Sequence, residues 1–179
     1  MEHATQAGAD HVLAAARHEA DAYRGDSPRP LGGYLATMSI YGIVVGVATL
    51  IAVATGRKLP TQWRLQDLVT VTLGTHKLSR TLAKDPVTSP LRAPFTRYAG
   101  SGGVAEINEE ARHDSQLRHS VGELLTCPFC LDMWVATGFA IGLVYAPRFT
   151  RLVAGVFTAL AGADFLQLAY AMAQHSAEG

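Results

Sequence analysis

Residues 31–55 read LGGYLATMSIYGIVVGVATLIAVAT, twenty-five consecutive positions without a charged side chain. About 20 such residues let an α-helix cross the hydrocarbon core of a bilayer, and a helix satisfies its own backbone N–H and C=O groups where no water can. The stretch therefore predicts a spanning helix. An apolar run closing on Ala52-Val53-Ala54 also has the outline of a cleaved secretory signal. It starts about thirty residues in and exceeds the usual apolar core of roughly 7–15 residues, so it reads as a retained anchor.

Composition points the same way. Nearly half of the 179 residues are hydrophobic and 17% are charged, against roughly 25% in soluble domains. Fifteen basic side chains balance fifteen acidic ones, so there is no global positive field of the kind that collects nucleic acid, and no nucleic-acid partner is expected. The length fits one domain.

Outward from the anchor, residues 1–30 read as a polar, alanine-rich N-terminal tail closed by Pro28 and Pro30, with room for a short helix over 11–23. A second segment, 65–83, is interrupted by Asp67, His76, Lys77 and Arg80. At helical spacing Val71, Leu78 and Leu82 share one face while Lys77, Arg80 and Lys84 share the other. It reads either as an amphipathic helix on the membrane surface or, preferred here, as a span whose basic face turns into the bundle. Apolar runs at 131–146, with Asp132 near its start, and at 149–173 complete the set. Pro147 and Arg148 mark a tight hairpin between them, and 174–179 is a C-terminal tail. Gly42 with Gly46, and Gly138 with Gly142, have the Gly-xxx-Gly spacing that admits a close neighbouring helix. Trp63, Trp134 and Tyr145 fall near the ends of spans, where aromatic rings favour the interface.

The expected fold is thus all-α, an integral membrane bundle of about four segments occupying 31–173. A cytoplasmic loop, 84–130, carries a helix between segments two and three. Within that loop Pro86, Pro90 and Pro94 predict an ordered, irregular stretch over 85–97, and Gly100, Gly102 and Gly103 a flexible joint. A surface helix is expected over 105–125, with Glu109–His113 and Asp114–Arg118 pairs. Placing tail and loop inside puts eight basic residues there against five outside, which orients both termini to the cytoplasm of a multi-pass inner-membrane protein.

Two features carry chemistry. Cys127-Pro128-Phe129-Cys130 stands ahead of the third span, and these are the only two cysteines. With Pro128 in a first helical turn, free backbone N–H groups lie beside the Cys127 sulfur and favour thiolate. Such redox pairs normally sit on a βαβ framework, and no strand alternation is evident. Zinc is the second reading, with His113, His119 or a second copy of the chain completing a tetrahedral site. Packing of small hydrophobes is the third, and all three stay open.

The other feature is Asp164 within the fourth run. An intramembrane carboxylate needs a partner, and depth counted at about 1.5 Å per residue from each span's outer end puts Asp164 level with Arg80. Pairing with Arg80, Lys77 or His76 is expected, as a structural bridge or as a proton relay through His76. Phosphate-loop, zinc-protease and serine-hydrolase motifs are all missing from the sequence. The basic loop could hold anionic headgroups, or simply set topology.

The motifs THKLSR (75–80), DPVTSPLRAPF (85–95) and GELLTCPFC (122–130) resemble a family of small bacterial membrane proteins catalogued as a domain of unknown function, some of whose Bacillus members are sporulation-related. The resemblance implies a bacterial inner-membrane protein in which Asp85, Ser89, Pro90, Arg92, Pro94, Phe95 and Glu123 form one shared cytoplasmic-side site. It implies no reaction. The preferred role is a non-catalytic scaffold or accessory component working with the bilayer and with protein partners, homo-oligomers included. The alternatives are a thiol oxidoreductase using Cys127 and Cys130, and a small transporter or proton-relay subunit using Asp164.

Overall fold

The computed structural model describes residues 2–25 and 29–178, and for 2–5 and 7–9 the backbone alone; Pro28 lies outside the described residues. In chain order the elements are α1 (Glu2–Arg24), α2 (Leu31–Ala54), α3 (Leu65–Lys84), a helical turn at Pro86–Thr88, α4 (Ser89–Arg92), β1 (Thr96–Ser101), β2 (Ile107–Ala111), α5 (Gln116–Thr126), α6 (Pro128–Tyr145) and α7 (Pro147–Glu178). The chain is mostly helical, and α2, α6 and α7 are long and apolar enough to cross a membrane. The tail reading of 1–30 gives way to a helix over most of that stretch. At the other end α7 runs unbroken through 174–178; its 32 residues extend about 48 Å at ~1.5 Å per residue.

Helix α3 lies against both α6 and α7. Its buried seam runs through Asp67, Val71, Gly74, Thr75, Ser79 and Ala83, positions spaced three or four apart that therefore share one face. Gly74, Thr75, Ser79 and Ala83 among them are small, which lets backbones approach closely. A Cβ on Gly74 would stand 3.1 Å from the Ala154 carbonyl oxygen, so glycine sets the distance between α3 and α7. Val71, Phe139 and Ala154 form the buried apolar centre, flanked by Leu78, Val135, Leu143 and Val153. Most large apolar residues of α2, among them Leu35, Ile43, Val47 and Leu50, are instead exposed, the pattern of a helix whose solvent is lipid.

Of the four Gly-xxx-Gly glycines, Gly142 alone is closely packed, against Thr150 of α7; a Cβ on Gly42, Gly46 or Gly138 would meet nothing within 4 Å. Helix α2 meets α5 through Gly33, where a Cβ would stand 2.1 Å from the Gln116 carbonyl oxygen, and is tied to α6 by side chains. Tyr41 meets the Thr137 hydroxyl at 2.8 Å and its ring packs edge-on against Trp134. Arg57 donates to the carbonyls of Val144 and Tyr145 at 3.2 and 3.1 Å, closing the C-terminus of α6 as a cation does well.

The all-α expectation fails between α3 and α5. Strands β1 and β2 pair antiparallel, with an irregularity between Tyr98 and Gly100, where Gly100 takes a φ of +126°. Gly102 and Gly103 belong to the hairpin turn, closed by the Gly102 N–H on the Glu106 carbonyl at 2.8 Å, and are not a joint leading into a helix. The expected helix over 105–125 is half right. Its first part is β2, and α5 begins after Ser115, whose hydroxyl accepts from the Arg118 N–H at 3.2 Å as an N-cap does. Two prolines of 85–97, Pro86 and Pro90, start helical turns, in first-turn positions that lose nothing by lacking an N–H, while Pro94 lies in the turn leading to β1.

Candidate functional site

The segment from Asp85 to Thr126 makes a polar cap, and Arg92 is its centre. The residue is 1% exposed, and every nitrogen of its guanidinium donates. Nε reaches Glu109 Oε2 at 2.7 Å. One terminal nitrogen reaches the Leu82 carbonyl and Thr88 Oγ1, both at 2.6 Å. The other reaches the Asp85 carbonyl, Ser89 Oγ and Glu109 Oε1 at 3.1, 3.2 and 3.2 Å. One side chain thereby closes α3, fixes the proline turns and clamps β2. Glu109, with a side chain 5% exposed, also accepts from Thr96 Oγ1 at 3.0 Å. Burial pushes its carboxyl up, and the donors from Arg92, Ser89 and Thr96 outweigh that, leaving it below the ordinary carboxylate range. The expected Glu109–His113 pair is therefore replaced by Glu109–Arg92, because a strand points alternate residues inward and Glu109 is one of them. The Asp114–Arg118 pair forms, at 3.2 Å.

Of the other motif residues, Asp85 accepts from the Val87 N–H at 2.9 Å, stabilising the turn as aspartate commonly does. The Phe95 carbonyl accepts from the Arg112 N–H at 2.9 Å, and Pro94 stands exposed beside it. Gly122 of α5 fits against this strand end, where a Cβ would lie 2.6 Å from the Phe95 oxygen.

Glu123 is the junction between cap and α2. It accepts from the Tyr34 hydroxyl at 2.5 Å and lies 3.4 Å from Arg29 and from His119 Nε2. His113 packs edge-on against His119, ring centres 4.2 Å apart. One turn beyond Glu123, Cys127 separates α5 from α6 and caps the latter, its Sγ accepting from the Cys130 N–H at 3.3 Å. The two sulfurs are 2.6 Å apart. Cys130 is exposed, and so is Phe129, at 85%. His113 and His119 thus neighbour each other, as do the two cysteines. Among the described residues no three His, Cys, Asp or Glu side chains gather at metal-binding distance.

Charges on α3 are met by α7. Lys77 Nζ lies 2.6 Å from Asp164 Oδ2, so of the three candidate partners Lys77 takes the carboxylate. His76 stacks on Phe165, ring centres 6.2 Å apart. Arg80, one turn nearer the cap, pairs with Glu106 of the hairpin turn; equal counts from the two segment ends set Asp164 level with Arg80, three residues beyond the Lys77 that it meets. The sequence reading missed a second bridge between the same helices. Arg151 grips buried Asp67 with two bonds of 2.8 Å, the planar fork geometry that suits a carboxylate. The signal was available, since Asp67 and Arg151 each lie near the start of their apolar segments.

A mostly helical chain, with three helices able to cross a membrane and a braced polar cap between the first and second of them in chain order, defines a membrane-type helical protein. Residues 70–170 match the family described as Protein of unknown function (DUF1360), and the chain belongs to it. That span takes in most of α3, the cap, the cysteine pair, α6 and most of α7. No curated protein and no solved structure matches the chain.

Proposed function

We propose that this is a four-span inner-membrane protein of bacterial type, both termini cytoplasmic, which serves as a non-catalytic accessory component presenting its cap to protein partners. Counting α3 as the fourth span is supported by its two charge pairs with α7, Asp67–Arg151 and Lys77–Asp164, because charges at membrane depth pair with one another. The observation that carries the scaffold reading is the contrast within the cap. Its central arginine is fully bonded inside the chain, while Val87, Leu91, Tyr98 and Val104 stand exposed. Internal bracing holds a shape, and exposed large apolar residues outside a span favour contact with another molecule. A photo-crosslinking residue placed at Val104 in native membranes should give a discrete protein adduct that disappears when Arg92→Ala loosens the cap. Adducts to lipid alone, from Val104 and from Val87, would refute the scaffold reading.

The 2.6 Å approach of two sulfurs at a helix start favours one second reading, a thiol oxidoreductase. Cys127 thiolate attacks a partner disulfide, releasing one partner thiolate. Cys130 then attacks the Cys127 sulfur, freeing the second partner thiolate and leaving a Cys127–Cys130 disulfide. Alkylation across pH decides it: a Cys127 that titrates near the ordinary value of about 8.5 removes the reading. Metal assay of the same sample tests zinc shared with a second copy.

A further inference from the structure

Between α3 and α6 runs a cleft of about 670 Å³, lined among others by Trp63, Leu68, Thr75, His76, Asp132 and Ala136. That size is within the range of small-molecule sites, which run roughly 300–1,000 Å³ and set a few polar groups in an apolar lining. Two of its lining residues hold the only buried side-chain oxygens that lack a hydrogen-bond partner among the described residues, Thr75 Oγ1 and Asp132 Oδ1. Thr75 is 7% exposed. Other helical threonines, such as Thr70, Thr150 and Thr158, return their hydroxyl to the carbonyl four residues back; Thr75 does not. A buried polar oxygen left unpaired has given up its hydrogen bonds to water without replacement, so two of them in one cleft point to a donor from outside the chain.

The lining is graded. Because α3 and α6 run in opposite directions, Thr75 and His76 lie level with Asp132, while Leu68 and Trp63 lie toward Ala140. Asp132 is the one carboxylate or permanently charged group in the lining, and it takes part in no ion pair among the described residues. An anionic headgroup is thereby disfavoured and a cationic one favoured.

We infer that this cleft binds an amine-headed membrane lipid, its ammonium group meeting Asp132 and Thr75 and its chain lying over Leu68 and Ala136 toward Trp63. The inference rests on reading α3 as a span. The sequence has two tryptophans, so Trp134→Phe leaves Trp63 as sole reporter. The full chain with that change goes into bilayers containing phosphatidylethanolamine or phosphatidylcholine with brominated chains. Brominated phosphatidylethanolamine should quench Trp63 at least about twofold more strongly, and Asp132→Asn should bring the two lipids to parity. Stepwise N-methylation of the headgroup, tested on the chain with Asp132 intact, should lower quenching step by step, and this measurement stands even where Asp132→Asn does not fold. Equal quenching by both lipids, or a preference that survives Asp132→Asn, overturns the lipid assignment while leaving the span intact. Shielding of Trp63 from both lipids, as by a helix of a second copy, overturns it too. Quenching by aqueous iodide and by neither lipid overturns the span reading and the site together.

Discussion

The helical bundle and the polar cap are built by opposite means. In the bundle, contact is made by absence of side chain: Gly74 against Ala154 and Gly142 against Thr150 bring helices together, around an apolar centre of three buried residues. Lipid solvates apolar surface as well as protein does, so such a bundle needs close packing and paired charges more than a large core. The cap buries almost no large apolar side chain and is organised by one arginine and one glutamate. Each region should therefore fail through a different kind of change.

The largest effect is expected at Arg92. Arg92→Ala leaves the Glu109 carboxylate buried and unpaired, a loss of about 3–5 kcal/mol, and hydrogen exchange over 85–126 should rise while α6 and α7 stay protected. Arg92→Lys should fail nearly as badly, since an ammonium cannot replace the planar fork. Cap exchange unchanged from wild type in both variants would remove the distinction between the regions. Next comes Arg151→Met, which strands Asp67 at the α3–α7 interface and should lower the melting temperature in detergent, less than Arg92→Ala does because Arg151 is 42% exposed. Gly74→Leu follows. It should push α3 from α7 and cost about 1–3 kcal/mol by overpacking, read as a longer spin-label distance between the two helices with cap exchange unaltered.

Acid should sharpen the contrast in a milder way. Glu109 has a depressed pKa in the fold, so its contribution is fully present above the ordinary carboxylate value of about 4.3 and is lost as pH falls through the lower folded value. Cap exchange should therefore rise below about pH 4 in wild type, and Glu109→Gln should lack that step. The smallest effect belongs to Arg80→Ala. Its pair with Glu106 is partly exposed, at 45% and 22%, and exposed pairs contribute about 0–1 kcal/mol; a melting temperature lowered by many degrees would contradict this ranking.

The bundle was legible and the cap was not. Runs at 31–55, 131–146 and 149–173 announce α2, α6 and α7, because long, predominantly apolar helices have few homes other than a membrane or a large core. Pro128 announces the start of α6, and Pro147 the start of α7. The hairpin escaped because INEEA, residues 107–111, places a glutamate where an inward apolar residue would reveal a strand. Its inward position makes sense only once Arg92, seventeen residues earlier, is known to face it. The nearness of Glu123 to His119 is an i,i+4 spacing within α5, whereas its bond to Tyr34 depends on α2 and α5 lying side by side.

From its residues alone, this chain determined that it has helices oily and long enough to cross a membrane, that two cysteines share one helix start, and that charges within the apolar segments need partners. Those are local properties, set by hydropathy, proline placement and helical repeat. Tertiary structure alone decided which partner each charge takes, that a two-stranded hairpin sits on the cap, and that Thr75 and Asp132 meet in one cleft. Such outcomes depend on distances between residues far apart in the chain, and a buried charge or hydroxyl takes whichever partner the packed backbones bring within about 3 Å.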